Sequence, residues 1–237
     1  MKSILFCIPY GGSSATAFLQ WKPMLEGHIE LHPVEISGRG LRYDEQYNTD
    51  FPEMLNDLAD QVKQYADKVP YAIFGHSMGA VLAYELYYRL VEEGYPAPVH
   101  LFISGRPAPN TIAGRKSLLS KMFGQLQHNI FRKNGGIPDE IAKRPELAKK
   151  FREVLQSDIR LMDTYSYKPK QDKIRCPVTI FSGMQDQISK DEIQAWESHT
   201  INTCNMIWMN GDHFFLETSR GELISIINST IPVLSSR

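Results

Sequence analysis

The chain lacks an excess of charge of either sign. Among 237 residues, 26 are Lys or Arg and 27 are Asp or Glu, which gives a formal net charge of -1 at pH 7. A protein that binds nucleic acid needs clustered positive charge to neutralise phosphates, so this balance argues against such a partner. The content of 42% hydrophobic and 22% charged residues is typical of a folded globular protein.

Cysteine is scarce, and long apolar runs are missing. The three cysteines form no CxxC pair and no Cys/His cluster, which predicts reduced thiols and no zinc site; they are Cys7, Cys176 and Cys204. The apolar run 4–8 ends at Pro9 and is too short for the core of a signal peptide. No later stretch approaches the roughly 20 apolar residues of a membrane span. We therefore expect a cytoplasmic protein without a membrane anchor.

Short apolar runs alternate with helical patterns along most of the chain. This alternation predicts an α/β fold with a mostly parallel central sheet flanked by helices. The predicted strands cover 4–8, 29–36, 71–74, 99–104, 178–182 and 206–209. An apolar stripe predicts a helix that ends before Pro70, and a second helix is expected over 78–93, ending at Gly94. The length fits one domain over residues 1–237.

The alternation breaks at about 107–170, where helical patterns follow one another without a convincing strand. We interpret this stretch as an insertion that forms a helical lid over the active site. Its last part is predicted to be an amphipathic helix whose apolar face carries Leu147, Phe151, Val154, Leu155, Ile159, Met162 and Tyr165. Gly135 and Gly136 precede this helix and form either an ordinary turn or a hinge.

The segment Gly75-His76-Ser77-Met78-Gly79 matches the G-x-S-x-G pattern of a nucleophile elbow. It follows a predicted strand and precedes a predicted helix, as that motif requires. The serine must occupy a sharp, strained turn in which side chains two residues to either side would collide. Glycine at positions 75 and 79 avoids these collisions. Ser77 is the predicted nucleophile of a serine hydrolase with the α/β-hydrolase fold; the alternative is an inert glycine-rich turn.

A serine hydroxyl needs a base and an orienting acid, which this fold supplies in the order Ser, Asp or Glu, His. Asp186 follows the strand at 178–182 and is the predicted acid, while Asp191 is the competitor that better fits the first turn of a helix. His213 stands on a loop after the last predicted strand and is the predicted base. His199 is predicted to end a polar helix instead.

The oxyanion of the reaction needs fixed hydrogen-bond donors. The backbone N–H of Met78, at the start of a helix, is one predicted donor. The loop after the first strand, with Gly11 as first choice and Tyr10 as second, is predicted to supply the other. A plain glycine turn between strand and helix is the alternative for this loop.

These residues resemble the stand-alone type II thioesterases of non-ribosomal peptide synthetases and polyketide synthases. Besides the elbow, the similarity is carried by Ile8 to Ala15, Gly38-Arg39-Gly40 with Arg42 and Glu45, Ser104 to Pro109, Gly135 to Pro138, and Gly211 to Leu216. The resemblance implies hydrolysis of acyl, aminoacyl or short peptidyl thioesters on the phosphopantetheine arm of acyl or peptidyl carrier proteins, by a monomer that needs no cofactor or metal. The arm belongs to the carrier, and the insertion corresponds to the family's lid.

Some residues depart from the family pattern or have no assigned role. Ser13 and Asp212 stand where the family often has glycine, and Asp212 adds a carboxylate beside the predicted base. For Arg39, Arg42 and Arg106, a solvated arginine at a turn is the expected role. A basic group in the insertion is a candidate surface for an acidic carrier or an ordinary solvated face; it consists of Arg115, Lys116, Lys121, Arg132 and Lys133.

Three other functions stay open on the sequence. A general carboxylesterase would keep the triad and act on soluble esters, and an acyltransferase would pass the acyl group to another acceptor. A non-catalytic binding protein could keep the fold and lose the chemistry.

Overall fold

The computed structural model describes residues 2–112 and 144–233. Gly135, Gly136 and the five basic residues of the insertion lie outside this part of the chain, so the hinge and the carrier surface stay predictions. The predicted extent of the single domain, 1–237, also stays a prediction.

A six-stranded sheet forms the centre of the protein, in the order β2-β1-β3-β4-β5-β6 with every neighbouring pair parallel. The strands are β1 (Ser3–Ile8), β2 (Ile29–Pro33), β3 (Tyr71–His76), β4 (His100–Ser104), β5 (Val178–Gly183) and β6 (Cys204–Met209). All six predicted strands are present. The sequence placed the end of β2 at residue 36, but the strand ends at Pro33. The Val34 N–H still donates to Cys7 of β1 at 2.9 Å, whereas the next amide that faces β1, that of Ile36, donates to Oε1 of Glu35 at 3.2 Å.

Helices and short 3-10 segments connect the strands. The helices are α1 (Phe51–Ala66), α2 (Met78–Glu92), α3 (Pro109–Ile112), α4 (Pro145–Thr164), α5 (Lys190–Gln194), α6 (Phe215–Thr218) and α7 (Arg220–Thr230), and the 3-10 segments are Ala15–Met24, Gly40–Arg42 and Ala195–His199. Asp50 caps α1 by accepting the Glu53 N–H at 2.9 Å. As predicted, α2 ends before Gly94, which adopts a φ of +84°.

The sheet buries both of its faces, which explains the nearly continuous apolar strands. Alternate residues of β1 serve the two faces: Phe6 and Ile8 belong to the core formed with α1 and α2, whereas Leu5 and Cys7 belong to the opposite core with Trp21 and α7. Burial raises the pKa of the Cys7 thiol well above its usual value. The described helices include none long and apolar enough to cross a membrane.

The last part of the insertion is the amphipathic helix that the sequence predicted, here α4. Leu155 packs with Phe151, Ile159 and Phe214, the residue next to the predicted base. Leu147 was predicted to be part of the apolar face, but it is 45% exposed, whereas its neighbour Ala148 is buried. The central part of α4 therefore covers the end of the sheet at which the predicted site residues lie.

Candidate active site

Ser77 occupies a strained turn between β3 and α2. Its φ of +54° is the only positive value among the described non-glycine residues. A Cβ at Gly75 would lie 2.0 Å from the carbonyl oxygen of Gly79, and a Cβ at Gly79 would lie 2.4 Å from that of Ile8. Both glycines are thus required by close backbone approach, and the turn presents Ser77 at the carboxyl end of the sheet.

Asp186 and His213 meet across two loops that follow neighbouring strands. The Nδ1 atom of His213 lies 2.7 Å from Oδ2 of Asp186. The other oxygen of Asp186 accepts the N–H of Gln187 at 2.7 Å, which fixes the orientation of the carboxylate. This pairing leaves the second ring nitrogen of His213, Nε2, free of the carboxylate, as a base that serves a serine requires.

The backbone holds these two loops together. The N–H of Met184 donates to the carbonyl of Met209 at 2.9 Å, and a similar 3.0 Å bond joins the next residue, Gln185, to Gly211. A Cβ at Gly183 would lie 2.3 Å from the carbonyl oxygen of Asp212, so only glycine permits this approach. The predicted acid and base are therefore positioned by backbone hydrogen bonds at the strand ends and not by their side chains alone.

The competing acid and base lie elsewhere. Ser189 caps α5 with a reciprocal bond to Glu192, which leaves Asp191 exposed in the first turn, as the capping argument predicted. His199 ends a 3-10 helix, but it is buried, and its Nδ1 lies 3.3 Å from the hydroxyl of Tyr84. The structure brings together Asp186 and His213 and separates them from these two residues.

His76 lies beside the predicted base, a position that sequence reasoning missed. Its ring centroid lies 5.0 Å from that of His213, and its Nδ1 lies 2.9 Å from Ser104 Oγ. A Cβ at Gly105 would lie 2.5 Å from the His76 ring. Burial, with the neighbouring His213, lowers the pKa of His76 well below its usual value, so this imidazole is uncharged at neutral pH. Its position inside the elbow motif was the available signal.

Residues 10–13 form a turn at the end of β1, called the 10–13 turn below. The N–H of Ser13 donates to the carbonyl of Tyr10 at 3.0 Å, and Gly12 has a φ of +80°, as position three of a type II turn requires. The Gly12 N–H donates to Asp158 at 2.7 Å and is thus already used. The N–H groups predicted to donate to the oxyanion are those of Gly11 and Tyr10, the two residues before Gly12.

The other predicted donor, Met78, is the first residue of α2. Its N–H has no partner within the helix and lies at the positive end of the helix dipole. The strand order places the 10–13 turn and the elbow after the adjacent strands β1 and β3, where the order of the sheet reverses. Open parallel sheets form their ligand-binding crevice at this point.

Tyr10 closes one side of this region. Its ring centroid lies 5.8 Å from that of His76 and 6.0 Å from that of Phe214. Burial, together with the nearby Glu217 carboxylate, raises the pKa of Tyr10 to about 12. The phenol therefore stays protonated at neutral pH.

Two arginines that were expected to be solvated are buried. Arg39 is 4% exposed and pairs with Asp158, and Arg106, equally buried, has its pKa lowered by burial to about 10. The solvated interpretation was wrong for both because it ignored partners and neighbours that are distant in sequence. Arg42 is partly exposed and binds Asp57 and Glu45.

Asp212 has a local backbone contact. Its Oδ1 accepts the N–H of Phe214 at 2.9 Å, while the carboxylate on His213 is that of Asp186. Within residues 2–112 and 144–233, no three His, Cys, Asp or Glu side chains converge as metal ligands would.

A comparison with known protein families shows which family the chain belongs to. The family model described as thioesterase domain matches residues 3–231. The chain belongs to the thioesterase domain family. This thioesterase is 30% identical over 227 residues to the gramicidin S biosynthesis protein GrsT of Aneurinibacillus migulanus, covering 94% of this chain and 86% of GrsT.

Two solved structures share its fold over nearly their full length. ClbQ from the colibactin NRPS/PKS pathway superposes with a TM-score of 0.87 at 30% identity, covering 97% of both chains. The type II thioesterase BorB from the borrelidin biosynthetic cluster gives a TM-score of 0.81 at 29% identity, covering 97% of this chain and 93% of BorB. These similarities confirm the α/β-hydrolase fold and the predicted resemblance to type II thioesterases.

Proposed function

We propose that this thioesterase hydrolyses acyl, aminoacyl or short peptidyl thioesters on the phosphopantetheine arm of carrier proteins, clearing non-ribosomal peptide or polyketide synthases of stalled groups. The observation that carries the proposal is the 2.7 Å contact between His213 and Asp186 at the sheet end that presents Ser77. The relatives' roles in antibiotic and NRPS/PKS pathways support the carrier-bound substrate.

The proposed reaction begins with acylation of the serine. His213 removes the proton of Ser77 while the serine oxygen attacks the thioester carbonyl carbon, and Asp186 stabilises the imidazolium that forms. The N–H of Met78 and one from the 10–13 turn stabilise the negative oxygen of the tetrahedral intermediate. Collapse of the intermediate breaks the C–S bond, and His213 gives its proton to the departing thiolate of the arm.

Deacylation repeats these steps with water. His213 removes a proton from water, which attacks the acyl-serine carbonyl, and the second intermediate releases the carboxylic acid and regenerates Ser77. The products are a carboxylic acid and a carrier with a free thiol. The chemistry as proposed uses only side chains and backbone amides of this chain, and we propose that a cytoplasmic monomer performs it.

The electrostatic setting of the base supports this cycle. His76 lies beside His213, and because burial keeps His76 uncharged, it does not oppose the positive charge that His213 acquires. The side chain of Asp186 is buried and its carboxylate is directed at His213, where a negative charge stabilises the imidazolium.

The test is release of acetate from an acetyl-phosphopantetheinyl carrier protein. Ser77→Ala is compared with the native enzyme, and Ser225→Ala, at an exposed position on α7, is the matched control. We expect release by the native enzyme and the control, and loss of release in Ser77→Ala with circular dichroism unchanged. Equal rates on carrier-bound and free esters would favour a general carboxylesterase. A folded native protein that is inert on short and long acyl carriers and on free esters would overturn the proposal.

A further inference from the structure

A buried ion pair connects the insertion to the turn that follows β1. Asp158 lies on α4 and is fully buried, and Arg39, in the loop after β2, is 4% exposed. The Nη1 atom of Arg39 donates to Oδ2 of Asp158 at 2.7 Å, and Nη2 donates to Oδ1. Charges are tolerated in a protein interior only when they are paired and hydrogen-bonded, so each residue depends on the other.

Both members of the pair also bind the backbone of the 10–13 turn. The Gly12 N–H donates to Oδ2 of Asp158 at 2.7 Å, and Arg39 Nη1 donates to the carbonyl of Ser13 at 3.1 Å. Hydrogen bonds with one charged partner are shorter and stronger than neutral ones. Two consecutive residues of the turn are thus held by a carboxylate 146 residues away and a guanidinium 26 residues away.

The same face of α4 packs against the turn. Phe151, Leu155 and Asp158 follow one another at four- and three-residue steps, which places them on one side of a helix. A Cβ at Gly12 would lie 3.1 Å from the ring of Phe151 and 3.4 Å from Leu155. The missing side chain of Gly12 therefore lets the helix come close enough for Asp158 to reach the backbone.

We propose that Asp158 is a positioning residue that fixes the 10–13 turn in the orientation needed to stabilise the oxyanion. This inference rests on the proposed function. A turn with glycine at two adjacent positions has many accessible conformations, and donors stabilise a transition state only when they are already in place. Gly11 and Gly12 have no side chains that could restrain the backbone of the turn. The restraint on the backbone comes instead from the hydrogen bonds of Asp158 and Arg39.

A positioning role is separable from a contribution to stability. Replacing only one member of the pair leaves a buried charge without its partner and destabilises the fold, whereas replacing both by apolar residues often does not. A comparison within the Arg39→Met background therefore removes the charge effect. In that background, Asp158→Asn keeps an oxygen that can accept the Gly12 N–H, and the similarly shaped Asp158→Leu does not.

The experiment measures kcat and KM of both double variants on the acetyl-carrier substrate, with urea unfolding of each. We expect kcat of the Leu variant to be about 10²-fold below that of the Asn variant, with KM values within about threefold, because misplaced donors affect the transition state more than substrate binding. The Leu variant should be at least as stable as the Asn variant. Asp163→Asn, exposed on the same helix, is the control and should retain native kcat.

Equal kcat values in the two double variants, or kcat values that follow their stabilities, would overturn the proposal. If either double variant fails to fold, the single variants Asp158→Asn and Asp158→Ala replace them, since both lose the charge and only Asn keeps an acceptor. Hydrogen exchange of the peptide that contains residues 9–15 gives a readout without substrate. Faster exchange in the Leu variant is expected even if the native protein proves not to hydrolyse thioesters, so the two proposals fail separately.

Discussion

His213 and Asp186 are 27 residues apart in the chain, yet their Nδ1 and Oδ2 atoms lie 2.7 Å apart. The contact joins the loops after β5 and β6, the last two strands of the sheet. Because the carboxylate holds one ring nitrogen, it fixes the tautomer in which the other nitrogen can accept a proton. The first prediction tests this relationship.

Asp186→Asn should lower kcat by about 10⁴-fold while the protein stays folded, because the amide favours the wrong tautomer of His213. The measurement is the steady-state rate on the acetyl-carrier substrate. Asp191→Asn, at an exposed position in the first turn of α5, is the matched control and should retain activity within about threefold of native. A larger loss in Asp191→Asn than in Asp186→Asn would reverse the assignment of the acid.

The strain at Ser77 predicts a difference in stability between two variants that lack its hydroxyl. Ser77→Gly should be about 1 kcal/mol more stable than Ser77→Ala, because glycine adopts a φ of +54° without steric cost and this relief exceeds its extra backbone entropy. Urea unfolding of both variants measures the difference. A more stable alanine variant would show that the strain at this position is negligible.

Backbone contacts around the elbow predict that Gly75 cannot carry a side chain. Gly75→Ala should destabilise the protein by about 3 kcal/mol or more, because its Cβ would lie 2.0 Å from a carbonyl oxygen. Gly27→Ala is the control, since a Cβ there would have no atom within 4 Å. The midpoint of urea unfolding should move little in the control, and a similar shift in both variants would contradict the prediction.

A buried histidine predicts loss of stability in acid. His100 is buried in β4, with Nε2 2.8 Å from Thr179 Oγ1, and burial lowers its pKa to about 4. Above pH 6.5 both the folded and the unfolded chain hold His100 neutral. Below that value the unfolded chain binds a proton that the folded chain does not, so stability falls by up to about 1.4 kcal/mol per pH unit until about pH 4.

His100→Gln should therefore lose less stability than the native protein when the pH falls from 7 to 5. Urea unfolding at both pH values measures the two losses, and the difference between them isolates His100 from the other titrating groups. His32→Gln, on the edge strand β2, is the comparison variant. An unchanged pH dependence in His100→Gln would show that this site does not titrate differently in the two states.

Local patterns were sufficient to predict most of the sheet and the two central helices. Each strand is a short apolar run bounded by turn residues, and α1 carries a regular apolar stripe, so neither prediction needed knowledge of distant contacts. The end of β2 was misplaced because the buried side chain of Glu35 accepts the amide of Ile36, which would otherwise have continued the ladder to β1. That competition depends on tertiary packing and has no local signal.

In the candidate site too, some residues could be predicted from local patterns and others depend on distant contacts. Ser77, Asp186 and His213 were predicted from chain order and loop position, which the fold constrains, and the structure brings Asp186 and His213 into contact. The burial of Arg39 was not predicted, and Asp158 was not singled out. The two residues are 119 apart in the chain, and an ion pair at that distance produces no sequence pattern in either segment. A buried charge is recognised only when its partner is known.

The pair of Arg39 and Asp158 also restricts how the insertion can be exchanged. A segment transplanted from a relative would bring its own residue at position 158, and that residue would meet Arg39 in a buried site. Positions 39 and 158 belong to different segments, but a change at one requires a matching change at the other. An exchange of the insertion is therefore compatible with this scaffold only if the incoming helix carries a carboxylate at that position, or if position 39 is replaced with it.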